Sequence, residues 1–359
     1  MSKKNTRINK KSFDKSNNWL WSIVFIVIAA LSVVAIISQS KSFSLSSYIE
    51  YILDASKPGL IAAVLSMLCF ILFEGLALLI LCRAFGYKPG LWKGYIYSAA
   101  DIYFSAITPS ATGGQPASAF FMMKDGMDSM LTTAALLVNL CMYTVSIVVI
   151  GILTFIFGLG LFAEYSIFSK ILVLGGFIFQ IGLIIFFAML IANERLLHKI
   201  SSAILRLLAK IKLIKKTDEK QKKLNAYMEE YRKYTEIISV HKKTLFFVFL
   251  FNFIQRIAQI AVTMFTYMAT TGASIKDSFK VILLQAYTTI GSYCVPIPGG
   301  IGIADYLMFD GFGNIMSEAE AVKLQLLSRT LSFYFCVLLC GVSVLIQYII
   351  IKLRSKKVC

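Results

Sequence analysis

Histidine is almost missing from this chain: His198 and His241 are the only two in 359 residues. A histidine-based metal site or a Ser-His catalytic pair is therefore not expected. The 7 cysteines (69, 82, 141, 294, 336, 340 and 359) lie mostly in apolar runs, and none forms a CxxC pair. They read as small packing residues rather than disulfides or metal ligands. No GxxxxGK[ST] loop occurs, so no ATP-driven step is expected, and the residues suggest no other cofactor. Charge is scarce too, at 15% of residues against ~25% in ordinary soluble domains. Acids are the scarcer sign, 19 against 36 Lys+Arg, which leaves a net charge of +17.

What the chain does have is long apolar runs. Trp19–Ser38, Gly59–Cys82, Met130–Gly158, Lys170–Ala192, Thr244–Thr271 and Leu324–Ile351 each reach or exceed the ~20 residues that cross a bilayer as a helix. Two further stretches, 94–123 and 278–309, are apolar but broken by Pro and Gly. The expected fold is an all-α integral membrane protein: a polytopic helical bundle of six clear spans and two interrupted or re-entrant hairpins, with an inverted internal repeat. No sizeable soluble domain is expected. The first 18 residues are charged, and no small-residue cleavage site follows the first apolar run, so that run reads as an uncleaved span.

The basic excess is confined to residues 1–18, 193–243 and 352–359, which together account for the whole +17. Confinement of this kind is the positive-inside pattern and puts all three segments on the cytoplasmic side. A nucleic-acid surface is the rival reading, but it would want stacking aromatics among the charges. Residues 193–243 have only three tyrosines, so no nucleic-acid partner is expected. This segment opens with Leu197, Ile200, Ile204, Leu208, Ile211 and Ile214 at helical spacing, interleaved with Lys199, Arg206, Lys210 and Lys212. Such a helix suits the headgroup region of an anionic leaflet; a solvated helical hairpin between spans is the alternative.

Parity sets the two broken stretches apart. With the N-terminus inside, 94–123 must enter and leave from the cytoplasmic side, and 278–323 must begin and end outside. The chain divides into a basic N-terminus (1–18), a membrane half (19–192), the basic segment (193–243), a second membrane half (244–351) and a tail (352–359).

The broken stretches resemble each other. One carries Pro109-Ser-Ala-Thr-Gly113-Gly114-Gln115-Pro116 and ends at Asp125-Gly126; the other carries Pro296-Ile-Pro298-Gly299-Gly300 and ends at Asp310-Gly311, with the Gly-Gly pairs 186 residues apart. Matching interrupted segments that enter from opposite sides belong to inverted-repeat transporters, whose site lies near the midplane; two loops alike by composition alone are the alternative. Helix breaks at Pro109, Pro116, Pro296 and Pro298 free backbone groups that hydrocarbon tolerates only beside protein or a wet cavity. Helices starting just after Gly114 and Gly300 would aim their N-termini there, where an anion such as phosphate is favoured. A kink needed only for packing would produce the same sequence.

Ionisable residues within the apolar runs complete the candidate substrate site, because intramembrane charge is costly and usually functional. Arg256 lies 12 residues past Thr244, ~18 Å along a helix, on a stripe of Asn252, Arg256, Gln259 and Thr263 that should face the protein interior. Its fork suits phosphate; a structural ion pair is the plainer role. Glu74 and Asp101 are further candidates, and so are Asp305, Arg329 and the motif residues Gly113, Gly114, Gln115, Gly299 and Gly300. Pairing with an intramembrane arginine would explain Glu74 equally well. Asp310 reads best as a helix cap, and Arg329, five residues into the last span, as able to snorkel to the outer interface.

On Thr108-Pro-Ser-Ala-Thr-Gly-Gly-Gln-Pro116 and Pro296-Ile-Pro-Gly-Gly-Ile-Gly302, and on the spacing of its spans, the chain resembles the lysylphosphatidylglycerol synthase transmembrane region, the flippase-like membrane domain of the multiple peptide resistance factor family. That resemblance covers about residues 19–352. It implies a bacterial inner-membrane protein that moves aminoacylated phosphatidylglycerol or a related lipid between leaflets, lowers surface negative charge and confers resistance to cationic peptides. Many relatives carry a Glu, often after a basic residue, shortly after the second Gly-Gly motif, where this chain has Ala304-Asp305. Long relatives add a soluble domain that transfers lysine from tRNA to the lipid. Eight residues follow Ile351 here, so the chain is not expected to catalyse that transfer alone. Expected partners are the phospholipid substrate, anionic lipids along 193–243, a separate aminoacyl-lipid synthase and a second copy of the chain. A phosphatidylglycerol lysyltransferase, or a membrane scaffold that transports nothing, is the alternative function.

Overall fold

A computed structural model describes residues 45–108, 111–210, 242–295 and 302–357. The first expected span, the basic N-terminus, Pro109, Pro296, Pro298, Gly299, Gly300 and residues 211–241 lie outside the described residues. Every element among those described is helical.

A short helix α1 (Leu45–Leu53) precedes α2 (Lys57–Ala84), whose 28 residues give ~42 Å of helix, longer than the ~30 Å hydrocarbon core. The stretch expected to be interrupted divides into α3 (Leu91–Ile107) and α4 (Gly114–Lys124). Two long apolar helices follow, α5 (Ser129–Glu164) and α6 (Ile167–Ala192), and then the amphipathic α7 (Glu194–Lys210). The second half repeats the order. It has the long α8 (Lys242–Thr271), the split stretch α9 (Ile275–Ser292) and α10 (Ile303–Phe312), and a closing helix that reads α11 (Glu318–Arg329), a π-helical turn (Thr330–Phe335) and α12 (Cys336–Lys357).

Among the described residues, five helical stretches are long and apolar enough to cross a membrane: α2, α5, α6, α8 and the composite Glu318–Leu353. They coincide with five of the six expected spans. The third expected span runs six residues beyond its expected end at Gly158, because that glycine takes non-helical dihedrals and the helix resumes after it. Large apolar side chains stay exposed along these helices, among them Ile178 and Phe179 on α6 and Leu338 and Leu345 on α12. Apolar surface of this extent belongs against lipid rather than water.

The 186-residue interval between the Gly-Gly pairs also relates the helices. Adding it to α2 (57–84) gives 243–270, against 242–271 for α8. The same shift carries α3 (91–107) to 277–293, against 275–292 for α9, and α4 (114–124) to 300–310, against 303–312 for α10. The two halves meet along α2 and α8, the most extensive helix pair in the bundle, while α3 packs on α12 and α9 on α5. Close approach of α2 and α3 depends on Gly75, where a Cβ would stand 2.7 Å from the Gly94 carbonyl oxygen.

Of the expected amphipathic stretch, α7 is the described part. Leu196 and Ile200 pack against the larger apolar cluster of the bundle, while Arg195, Lys199 and Arg206 are exposed. Its apolar side therefore meets protein at these two positions, and its charges face outward.

Candidate functional site

The polar stripe of α8 faces into the bundle. Asn252, Arg256 and Thr263 are buried and Gln259 is half-buried, as its helical spacing requires. Arg256 stacks its guanidinium 4.2 Å from the Tyr143 ring centroid on α5, with the Phe70 ring of α2 at 5.7 Å. One terminal nitrogen donates to Gln259 Oε1 a turn away. Its Nε is buried and finds no partner among the described residues. Asn252 donates from Nδ2 to Asn139 Oδ1 on α5 at 3.0 Å, so the stripe is anchored to a second helix.

A carboxyl pair lies beside Arg256. Glu74 on α2 and Asp101 on α3 are both buried, and the Phe70 ring that Arg256 approaches lies one turn before Glu74 on α2. Glu74 Oε2 accepts from Ser98 Oγ and from Gln255 Nε2, both at 3.1 Å. Asp101 accepts from Ser105 Oγ at 3.1 Å and from Gln115 Nε2 at 2.7 Å. Ser98, Asp101 and Ser105 recur at helical spacing, which places them on one face of α3.

The bend between α3 and α4 holds this arrangement. Thr108 Oγ1 donates to the Phe104 carbonyl and accepts from the Gly113 amide at 2.8 Å, folding the chain back where α3 ends. Gly114 then starts α4 directly against Asp101; a Cβ there would stand 2.6 Å from the Asp101 carbonyl oxygen and overlap its carboxylate. Pro116 lies in the first turn of α4, where a missing N–H is harmless, so it starts a helix rather than breaking one.

Asp305 and Arg329 pair with each other, next to the contact of the stripe residue Thr263 with Ser328 at 2.6 Å. Asp305 Oδ1 receives Arg329 Nε at 2.7 Å, with both residues buried. Its other oxygen accepts the Gly302 amide at 2.9 Å, and Gln325 Nε2 donates to its backbone carbonyl at 3.0 Å. Two expectations are corrected here. Arg329 does not snorkel, because a carboxylate across the α10–α11 contact offers it a buried partner. Asp310 does not cap its own helix; near the C-terminal end of α10 it accepts the Ser166 amide at 3.0 Å, at the start of α6.

Both helices that follow the Gly-Gly motifs were expected to offer free N-termini to an anion. Each instead meets a protein carboxylate: Asp101 abuts the first turn of α4, and Asp305 caps α10. The unpartnered buried donor of the stripe is Arg256 Nε. Arg256 is also linked to the second interrupted stretch, since the Tyr143 hydroxyl meets the Tyr293 hydroxyl at 2.8 Å, where α9 ends. Sequence reasoning missed Gln255, Ser98, Tyr143 and Tyr293. The signal for Ser98 was its position three residues before Asp101; the other three depend on helix pairing.

A bundle of long apolar helices around buried carboxyls and an arginine is that of a polytopic helical membrane protein with a polar cluster in its interior. The profile of the lysylphosphatidylglycerol synthase TM region family matches residues 19–340, and the chain belongs to that family. A comparison with curated proteins returns no match.

Proposed function

We propose that this protein moves an anionic or aminoacylated phospholipid, such as lysyl-phosphatidylglycerol, between the leaflets of a bacterial inner membrane. Arg256 is the residue that receives the phosphate, with the carboxyl pair near the amine. Family membership supports a role in handling this lipid class. The observation that carries the reading is the buried Arg256 guanidinium, held between aromatic rings with its Nε unpartnered. An arginine with a donor to spare suits a phosphodiester, which offers several acceptor oxygens. In this reading the two halves form an inverted repeat, both termini are cytoplasmic, and headgroup transfer protects against cationic peptides.

The test is translocation of fluorescent phosphatidylglycerol and lysyl-phosphatidylglycerol in vesicles containing the purified protein. Wild-type vesicles should transfer label faster than empty ones. Loss of a hydrogen bond to a charged group costs about 1.5–3 kcal/mol, so Arg256→Gln should slow transfer roughly 10- to 100-fold. Arg256→Lys, which keeps the charge and loses the fork, should fall between. Equal rates for wild type and Arg256→Gln would remove Arg256 from the mechanism, and equal rates for wild-type and empty vesicles would remove the function itself.

A further inference from the structure

A carboxylate oxygen only accepts hydrogen bonds. Glu74 and Asp101 are both buried, and Ser98, which donates to Glu74, lies one turn before Asp101 on the same face of α3, so two ionised carboxylates here would repel each other at close range and one proton is held on the pair. With that proton the pair carries one negative charge, which Arg256 balances. The remaining partners of the pair are neutral donors: Ser98 and Gln255 on Glu74, Ser105 and Gln115 on Asp101. The titratable and charged groups that face Glu74 are thus Asp101 from α3, Arg256 from α8 and the Cys340 thiol from α12, while α4 contributes only the neutral Gln115.

A second observation concerns the same few side chains. Gln255 joins the carboxyl pair through its Nε2, yet among the described residues its buried Oε1 has no partner, and neither has Arg256 Nε next to it in the chain. With Asn252 Oδ1 a turn away, two acceptors and one donor on α8 are thus left over among the described residues, as a site for an acceptor-rich anion and a proton-bearing group would leave them.

We propose that the Glu74–Asp101 pair is a proton-binding site linked to Arg256, so that an anionic phosphodiester enters the cluster together with one proton. This deepens the translocation reading and rests on it. In the empty site one shared proton and one guanidinium leave the cluster neutral. A phosphodiester on Arg256 adds one negative charge, and net charge in a low-dielectric interior is expensive. A second proton from water on the side of loading protonates the remaining carboxylate, forms one O–H bond and restores neutrality. It returns to water when the headgroup leaves on the other side. By linkage the proton must favour the headgroup as much as the headgroup favours the proton.

Proton uptake can be counted directly. The full-length protein in detergent is titrated with short-chain phosphatidylglycerol by calorimetry in two buffers of different ionisation enthalpy. Wild type should take up about one proton per lipid bound. The double variant Glu74→Gln/Asp101→Asn, which has no carboxyl left to protonate, should bind with no uptake, and the wild-type count with the gradient arm below decides if that variant fails to fold. Wild-type binding without uptake, absence of binding, or unchanged uptake in a folded variant overturns the proposal.

The second arm uses vesicles with a pH difference of one unit. It should shift the leaflet distribution of labelled phosphatidylglycerol about tenfold, the factor equivalent to one proton per unit. A sodium gradient that does the same at equal pH overturns the proposal in favour of a metal cation. Lipid transfer indifferent to both gradients leaves translocation standing and defeats the coupling. Absence of transfer in wild-type vesicles defeats the translocation reading, and the calorimetric count alone then decides the proton site.

Discussion

Replacing Arg329 with Met is expected to destabilise the bundle by about 3–5 kcal/mol, the usual result of removing one partner of a buried ion pair. The reason lies with what remains. Asp305 is fully buried and gives Oδ1 to Arg329 at 2.7 Å; removing the guanidinium takes away the cation that balances this carboxylate in the interior, where charge is costly. Asp305 also caps α10 through the Gly302 amide, and that bond alone does not neutralise it. The double variant Asp305→Asn/Arg329→Met should recover most of the loss, because Asn keeps an acceptor for the cap and removes the charge. Thermal unfolding in detergent, followed for the wild type, both single variants and the double variant, gives the coupling energy. Additive losses would mean that the pair contributes nothing as a pair.

This pair bears on one point of the resemblance, which implied a Glu shortly after the second Gly-Gly motif, often preceded by a basic residue, where this chain has Ala304-Asp305. The shorter carboxylate both caps its own helix and reaches Arg329, which follows 24 residues later and immediately precedes the π-helical turn. A basic partner is thus still present, supplied by the next helix rather than the preceding residue.

The helices were legible in the sequence because hydrocarbon tolerates so few alternatives. An apolar run of sufficient length must be helical to satisfy its own backbone, so α2, α5, α6 and α8 fall where hydropathy puts them. The inward face of α8 followed from Asn252, Arg256 and Thr263 at helical spacing. Pairing between helices was not legible. Gln255 lies off that stripe and meets Glu74 only because α2 and α8 pack along each other. Tyr143 reaches Arg256 from α5, more than a hundred positions away in the chain. Periodicity reports which face of a helix is polar; it does not report which other helix that face will meet. The same limit hides the Asp305–Arg329 pairing, because acids and arginines that share one cluster and those that pair two by two produce identical sequence patterns.

Gly114→Val should abolish lipid transfer, with a stability loss near the upper end of the ~1–3 kcal/mol typical of overpacking. The position has no room for a side chain. Even a Cβ would stand 2.6 Å from the Asp101 carbonyl oxygen and overlap both the Asp101 carboxylate and the Ser105 hydroxyl. The carbonyl belongs to helical backbone, so rotation of a side chain cannot relieve the contact, and α4 must move off α3. That movement breaks the Gln115–Asp101 hydrogen bond and takes a donor from the carboxyl pair. Gly113→Ala, by comparison, would meet the Thr108 methyl and hydroxyl, 2.6 and 2.8 Å from its Cβ. A side chain can turn, so the effect there should be smaller. Transfer rates in vesicles and melting temperatures for the two variants separate the effects: Gly114→Val should lose transfer before it loses the fold, whereas equal transfer by Gly114→Val and wild type would show that the α3–α4 contact does not position the site.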